Sequence, residues 1–137
     1  MNPSGTIPQS GALCLTDGEI VLVTNKSGTR WVIPKGHLEA DDPNPAFRAE
    51  TEAWEEAGVR GTARPEPLGE YPYQKRGGDY LVTVYVIPSC VLHDSWPEQH
   101  QRRRVVVSLK RAAEMVIEPE LALLLKSVAP MGRSPLE

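Results

Sequence analysis

Runs of apolar residues separated by turn signals predict a mainly β first half for this chain. Residues 7–25 form two such runs joined at Thr16-Asp17-Gly18, and Asp-Gly is a strong signal for a hairpin turn. A short strand follows at residues 31–34, closed by Pro34. Three further strands are predicted because the segments are rich in β-branched and aromatic residues: an irregular strand at 58–73, the clearest strand at 79–92, and a strand at 102–109.

Three helical segments are predicted around these strands. Asn44 suits the N-cap of a helix over Pro45–Ala57, and Gly58 supplies its C-terminal stop. Residues 109–116 and 119–128 are the other two. The mixture of strands and helices predicts an α/β layered fold, a mixed sheet flanked by helices, and 137 residues suit one domain with loosely held ends at 1–5 and 129–137.

The helix over residues 45–57 has two distinct faces. The predicted apolar stripe consists of Phe47, Ala53, Trp54 and Ala57, with Ala46 and Ala49 close by. Glu52, Glu55 and Glu56 are spaced i, i+3 and i+4, so three carboxylates lie on one side of one turn. Like charges at this spacing, near the negative end of the helix dipole, destabilise a helix. Hard divalent cations would explain the arrangement, and the alternative is a solvated charged face.

The segment GHLEADDPNPAFRAETEAWEEAGV, residues 36–59, resembles the Nudix box, G-x5-E-x7-R-E-U-x-E-E-x-G-U with U apolar. The matching residues are Gly36, Glu52, Ala53, Glu55, Glu56, Gly58 and Val59. The resemblance implies a Nudix-type α/β/α sandwich over residues 1–137 that hydrolyses a nucleoside diphosphate linked to another moiety, using Mg²⁺ or Mn²⁺. It also implies that Glu52, Glu55 and Glu56, with the Gly36 carbonyl, hold the metal, and that one of these glutamates activates water.

The segment departs from the Nudix box at three points. Its loop is one residue longer, Asp41 or Asp42 replaces the first glutamate of the pattern, and Thr51 occupies the position of the arginine. In the family that arginine is thought to brace the acidic cluster. Arg48 precedes Glu52 by four residues on the same helix face, so we hypothesise that Arg48 pairs with Glu52 and replaces the missing brace.

Several other residues are candidates for substrate contacts. Glu98, in a polar loop, is a candidate base outside the box, with a solvated acid as the alternative. Strand alternation would send Arg102 and Arg104 to one face. Tyr73 and Trp96 are candidates for stacking on a nucleobase. The predicted cationic contacts to phosphate are Arg30, Lys35, Arg76, Arg102 and Arg104.

Composition narrows the range of functions. A net charge of −3 argues against a protein that coats nucleic acid. No apolar run approaches a membrane span of ~18 residues, and the first residues do not resemble a signal peptide, so we expect a cytoplasmic protein. Cys14 and Cys90 lie in apolar runs and are predicted to be buried and unbridged.

Two segments refine the expected substrate. PKGHLE is similar to a segment of dinucleoside tetraphosphate hydrolases, and SWPEQHQRRRVVVSLKRAAEMV is similar to part of diphosphoinositol polyphosphate phosphohydrolases. The resemblance therefore implies a small-molecule substrate, a dinucleoside polyphosphate or a diphosphoinositol polyphosphate. A nucleotide or RNA 5′-pyrophosphohydrolase and a non-catalytic Nudix-fold nucleotide-binding module are the alternatives. The sequence leaves open the number of metal ions and whether the protein is a monomer or a homodimer.

Overall fold

The structure is a computed structural model that describes residues 5–75 and 77–128. Arg76 and most of the two predicted loose ends, residues 1–4 and 129–137, lie outside the described residues. Within the described part, the chain forms nine strands and three helices. In chain order these are β1 (Ile7–Thr16), β2 (Glu19–Thr24), β3 (Trp31–Val32), β4 (Lys35–His37), α1 (Pro45–Ala57), β5 (Val59–Arg60), β6 (Gly69–Lys75), β7 (Gly78–Ile87), β8 (Val91–Leu92), β9 (Arg104–Ser108), α2 (Leu109–Met115) and α3 (Pro119–Val128).

A mixed sheet is organised around β1. The strand order is β3-β2-β1-β7-β6, with β1 parallel to β7 and the other pairs antiparallel. The early part of β1, Gln9–Gly11, also pairs with β4, whereas its end, Leu15 and Thr16, pairs with β2. Strand β9 pairs with β2, and β5 and β8 form a separate two-stranded sheet. Strand β4 thus pairs with β1 and also contacts α1.

Helices cover both faces of this curled sheet. Helix α1 packs on one face, and α2 and α3 pack on the other, where Leu109, Leu121 and Leu125 are buried. The predicted α/β/α sandwich with a mixed sheet is therefore confirmed. The predicted hairpin turn is also confirmed, with Asp17 and Gly18 at φ 50° and 78°. None of the described helices is long and apolar enough to cross a membrane.

The apolar stripe of α1 is confirmed for its alanines but not for Phe47. Phe47 is 45% exposed. Trp54 is half-buried and lies under the Arg60 guanidinium, with 3.9 Å from Cζ to the ring centroid. The buried apolar positions are alanines, namely Ala46, Ala49, Ala53 and Ala57. Small side chains let the helix approach the sheet closely, so Arg48, Glu52 and Glu56 are buried on the same helix.

Local capping fixes both ends of α1. The Asn44 side chain accepts a hydrogen bond from the Phe47 N–H at 2.9 Å. Gly58 adopts the left-handed conformation at φ 67°, and its N–H donates to the carbonyls of Ala53 and Trp54. A Cβ atom at Gly58 would lie 2.6 Å from the Trp96 ring, so both the backbone conformation and the Trp96 ring disfavour a side chain at this position.

The cysteine prediction holds for Cys14, which is buried and free, while the free Cys90 is only partly buried.

Replacing Gly58 with alanine should destabilise the protein more than replacing Gly28. Both glycines have positive φ, at 67° and 74°, but a Cβ at Gly28 meets no atom within 4 Å. Gly28→Ala should therefore lower the free energy of unfolding by about 1 kcal/mol, which is the cost of placing alanine in the left-handed backbone conformation. Gly58→Ala should cost roughly 1–3 kcal/mol more, because Trp96 must move. Equal losses in urea denaturation would contradict the role assigned to Trp96.

Candidate active site

A cleft of about 370 Å³ opens where α1 faces β4. Glu52 and Glu56 lie in it and are only 8% and 6% exposed. A Cβ atom on Gly36 would overlap the Glu52 carboxylate, so only glycine allows this close approach. The other residues that line the cleft are Gln9, Asn25, Lys26, Lys35, His37, Glu39, Tyr73, Lys75, Glu98 and Arg102. The structure thus brings together two of the three predicted glutamates and the predicted glycine.

Arg48 connects the loop before α1 to the cleft. Its Nε and Nη2 atoms donate to the two Asp42 oxygens, each at 2.9 Å, and its Nη1 donates to Glu52 Oε2 at 2.9 Å. The Arg48 hydrogen bonds lower the pKa of Asp42, which also accepts from the Glu39 N–H. The hypothesised Arg48–Glu52 pair is therefore present, and Asp42 is the loop acid that contacts it. Thr51 instead donates to the Phe47 carbonyl.

Burial in the cleft disfavours the ionised form of Glu56. Burial raises its pKa from 4.5 to about 8, and the neighbouring Glu52 carboxylate adds to this rise, although Arg102 opposes it. Its Oε1 accepts from the Lys35 N–H at 3.3 Å, and its Oε2 lies 3.4 Å from Arg102 Nη2. Burial and then Glu52 also raise the pKa of Glu55. A divalent cation would favour the ionised form of all these carboxyls.

The donor set suits a hard divalent cation, which prefers carboxylate and carbonyl oxygens. Even so, nowhere in residues 5–75 and 77–128 do three acidic, histidine or cysteine side chains already form a group able to hold a metal ion. Glu52 and Glu56 face Arg48 and Arg102, and the half-buried Glu55 does not line the cleft. Glu52 and Glu56 are the two acids of the helix that lie together in the cleft.

Two predicted cationic residues lie in the cleft. The Lys35 ammonium group lies 4.9 Å from the centroid of the Tyr73 ring, and burial lowers its pKa. The Arg102 guanidinium is held by Glu98 at 2.8 Å, by the Thr24 carbonyl at 3.0 Å and by Glu56. Arg102 is thus placed to orient carboxylates, while Lys35 has its ammonium group in the cleft beside an aromatic ring.

The remaining predicted cations lie elsewhere. Arg104 donates to the carbonyls of Ala57 and His93, both at 2.8 Å, and so binds the end of α1. Strand β9 begins at Arg104, so Arg102 lies just before the strand. Both side chains nevertheless contact the last turn of α1, because Arg102 pairs with Glu56 in that turn. Arg30 forms an ion pair with Glu118 outside the cleft. Arg76 cannot be placed, because it lies outside the described residues.

The loop that precedes β9 contributes to the cleft as well. Glu98, predicted from its position in a polar loop, lines the cleft, and its backbone N–H donates to the Glu55 carbonyl at 3.0 Å. Trp96 is half-buried, and its indole N–H donates to the Glu56 carbonyl at 3.1 Å, so the prediction that it stacks on a base finds no support. Sequence reasoning missed Gln9 and Glu118. For Glu118 the sequence offered one clue, which is that this acid stands between Ile117 and Pro119.

The NUDIX domain family matches residues 7–126. The chain belongs to the Nudix family. Two relatives from Arabidopsis thaliana, Nudix hydrolase 13, mitochondrial, and Nudix hydrolase 12, mitochondrial, are each 30% identical over 110 and 126 residues. These alignments cover 71% and 84% of this chain but 52% and 60% of the relatives, so the chain spans little more than half of their length.

Solved structures show the same Nudix fold. A MutT protein from Methanosarcina mazei Go1 superposes with a TM-score of 0.75 at 15% identity, covering 98% of this chain and 100% of that chain. An Ap4A hydrolase from C. elegans superposes with a TM-score of 0.71 at 18% identity, covering 92% of this chain and 98% of that chain. At these identities the likeness concerns the fold alone.

Removing either partner of the Arg48 bridge should weaken metal binding. Arg48→Ala and Asp42→Asn each release Glu52 from a fixed position, so Mn²⁺ affinity measured by calorimetry should fall by about 10–100-fold. Asp41→Asn is the matched control, because Asp41 is the neighbouring loop acid and is exposed. Unchanged Mn²⁺ affinity in Arg48→Ala would show that Arg48 has no bracing role.

The metal-free protein should lose stability as pH rises through the titration of Glu56. The folded-state pKa is about 8 against an ordinary 4.5, so the folded protein binds more protons than the unfolded chain between these values. Unfolding free energy in EDTA should therefore fall between pH 5 and pH 8, by more than about 1 kcal/mol relative to Glu56→Gln. Parallel pH profiles for the two proteins would contradict this assignment.

Proposed function

We propose that this protein is a Mg²⁺- or Mn²⁺-dependent pyrophosphohydrolase, which cleaves a phosphoanhydride bond in a nucleoside-diphosphate-linked or polyphosphate substrate. The observation that supports this function is the pair of buried carboxylates, Glu56 and the Glu52 that lies against Gly36, in a cleft that also contains lysines. The expected substrates are a dinucleoside polyphosphate or a diphosphoinositol polyphosphate. The cytoplasmic location and the oligomeric state, monomer or homodimer, stay predictions.

The residues of the cleft would have two roles, binding the cation and neutralising the phosphates. Glu52, Glu55 and Glu56, with the Gly36 carbonyl, would hold the cation. When bound, a divalent cation neutralises charge on phosphate oxygens and polarises the anhydride. The remaining phosphate charge would be matched by the lysines of the cleft, which are Lys26, Lys35 and Lys75.

Proton transfer from the attacking water needs a carboxylate within the cleft. One Glu98 oxygen accepts from Arg102 Nε at 2.8 Å, which leaves the second oxygen to accept the proton. Arg102 also contacts Glu56, so it fixes two acids relative to each other. Glu98 is thus the proposed base outside the box, and one of the box glutamates is the alternative.

A substrate panel separates this function from its alternatives. The purified protein would be incubated with Mg²⁺ or Mn²⁺ and nucleoside triphosphates, dinucleoside polyphosphates, 5′-triphosphorylated RNA or diphosphoinositol polyphosphates, and phosphate products would be quantified. Selective cleavage of the longer phosphate chains supports the proposal. Cleavage confined to nucleoside triphosphates or RNA favours a 5′-pyrophosphohydrolase, and cleavage of none favours a binding module.

Neutralising either buried glutamate should abolish most of the activity. Glu52→Gln and Glu56→Gln should each lower kcat by about 10²–10³-fold or more, since several kcal/mol of charge stabilisation depend on the cation. Mn²⁺ should raise the melting temperature of the wild type and not that of Glu56→Gln. Glu50→Gln is the matched control on the same helix, because its amide can still accept from the Ala63 N–H. Full activity in Glu56→Gln would contradict the proposal.

A further inference from the structure

A second cavity of about 540 Å³ adjoins the cleft. Tyr73 lines both spaces, and the walls of this second cavity are mainly apolar or aromatic. We call it the Glu118 cavity. Its lining residues that matter here are Arg30, Tyr73, Asp79, Tyr80, Ile117 and Glu118. Its volume suits a flat ring system of a small-molecule ligand.

Glu118 is an unusual residue for such a cavity. It is only 6% exposed, and its Oε1 atom has no hydrogen-bond partner among the described residues. Its Oε2 atom lies 3.7 Å from Arg30 Nη1, an ion pair that is longer than a hydrogen bond. A buried acceptor without a donor costs free energy, so a ligand that donates an N–H to Glu118 would recover it.

The aromatic wall favours a flat ligand. The Tyr73 and Tyr80 rings are stacked with centroids 4.9 Å apart and an angle of 12° between their planes. Gln9 fixes the Tyr73 ring by accepting from its hydroxyl at 2.7 Å. The Lys35 ammonium group lies 4.9 Å from the centroid of the same ring and lines the cleft. A planar ring in the cavity would thus have a cation between it and the buried carboxylates.

We propose that the Glu118 cavity binds the nucleobase of a nucleotide substrate, and that the base carries an amino group that donates to Glu118. This inference rests on the proposed function and selects a nucleotide over an inositol polyphosphate. The amino groups of adenine, guanine and cytosine are hydrogen-bond donors, whereas the single N3–H donor of the uracil edge lies between two carbonyl oxygens that a carboxylate repels. An inositol polyphosphate would place anionic groups against Glu118 and Asp79, with Arg30 already paired.

The kinetic test compares adenine and uracil substrates of equal phosphate length. Wild-type protein should show a KM about 10–100-fold lower for the adenine compound, the range expected for a hydrogen bond to a charged group. Glu118→Gln should raise KM for adenine with a smaller effect on kcat, and should reduce the preference over uracil, because an amide can donate to a carbonyl. Glu120→Gln is the matched control, because Glu120 is an exposed acid in the first turn of α3, two residues after Glu118.

Equilibrium binding separates this inference from the proposed function. AMP, CMP and UMP would be titrated into the metal-free protein, and Glu118→Asp would be included as a variant that keeps the charge but shortens the side chain. Tighter binding of AMP and CMP than UMP, weakened in both Glu118 variants, supports the inference even if no substrate is hydrolysed. Equal affinity for all three, or preferential cleavage of diphosphoinositol polyphosphates, overturns the inference and leaves the proposed hydrolase function standing.

Discussion

The pairing of buried carboxylates with arginines is the interaction on which the site depends. Glu52 and Glu56 are adjacent acids on one helix turn, enclosed between α1 and the sheet, and an unpaired charge there would be strongly destabilising. Arg48 contacts Glu52 from the preceding turn, while Arg102 contacts Glu56 from the far end of the chain. The loop around Asp42 and the loop before β9 are fixed by the same two arginines.

The site also requires α1 to pack close to the sheet. The buried apolar side chains of this helix are all alanines, and Gly36 on β4 leaves room for the Glu52 carboxylate. Larger residues at these positions would separate helix from strand and admit water between the acids. The close packing therefore keeps Glu56 desolvated, which raises its pKa and prepares the cleft for a cation.

Two neighbouring spaces with opposite character meet at Tyr73. The cleft is lined by acids and lysines, which suit a cation and phosphates, whereas the Glu118 cavity is mainly apolar with one unsatisfied acceptor. Lys35 lies over the shared ring. A nucleotide has the same division, an anionic chain joined to a flat base with specific donors and acceptors. This correspondence supports a nucleotide as the substrate class.

Features that depend on residues close together in the chain can be predicted from the sequence alone. The bounds of α1, capped by Asn44 and Gly58, follow from local backbone chemistry, and the Arg48–Glu52 pair follows from helical spacing. Contacts between residues far apart in the chain depend on the three-dimensional fold and could not be predicted. They bring Arg102 to Glu56 and Arg104 to the Ala57 carbonyl, and they leave Glu118 Oε1 without a hydrogen-bond partner among the described residues, because partners for these side chains come from elements far apart in sequence.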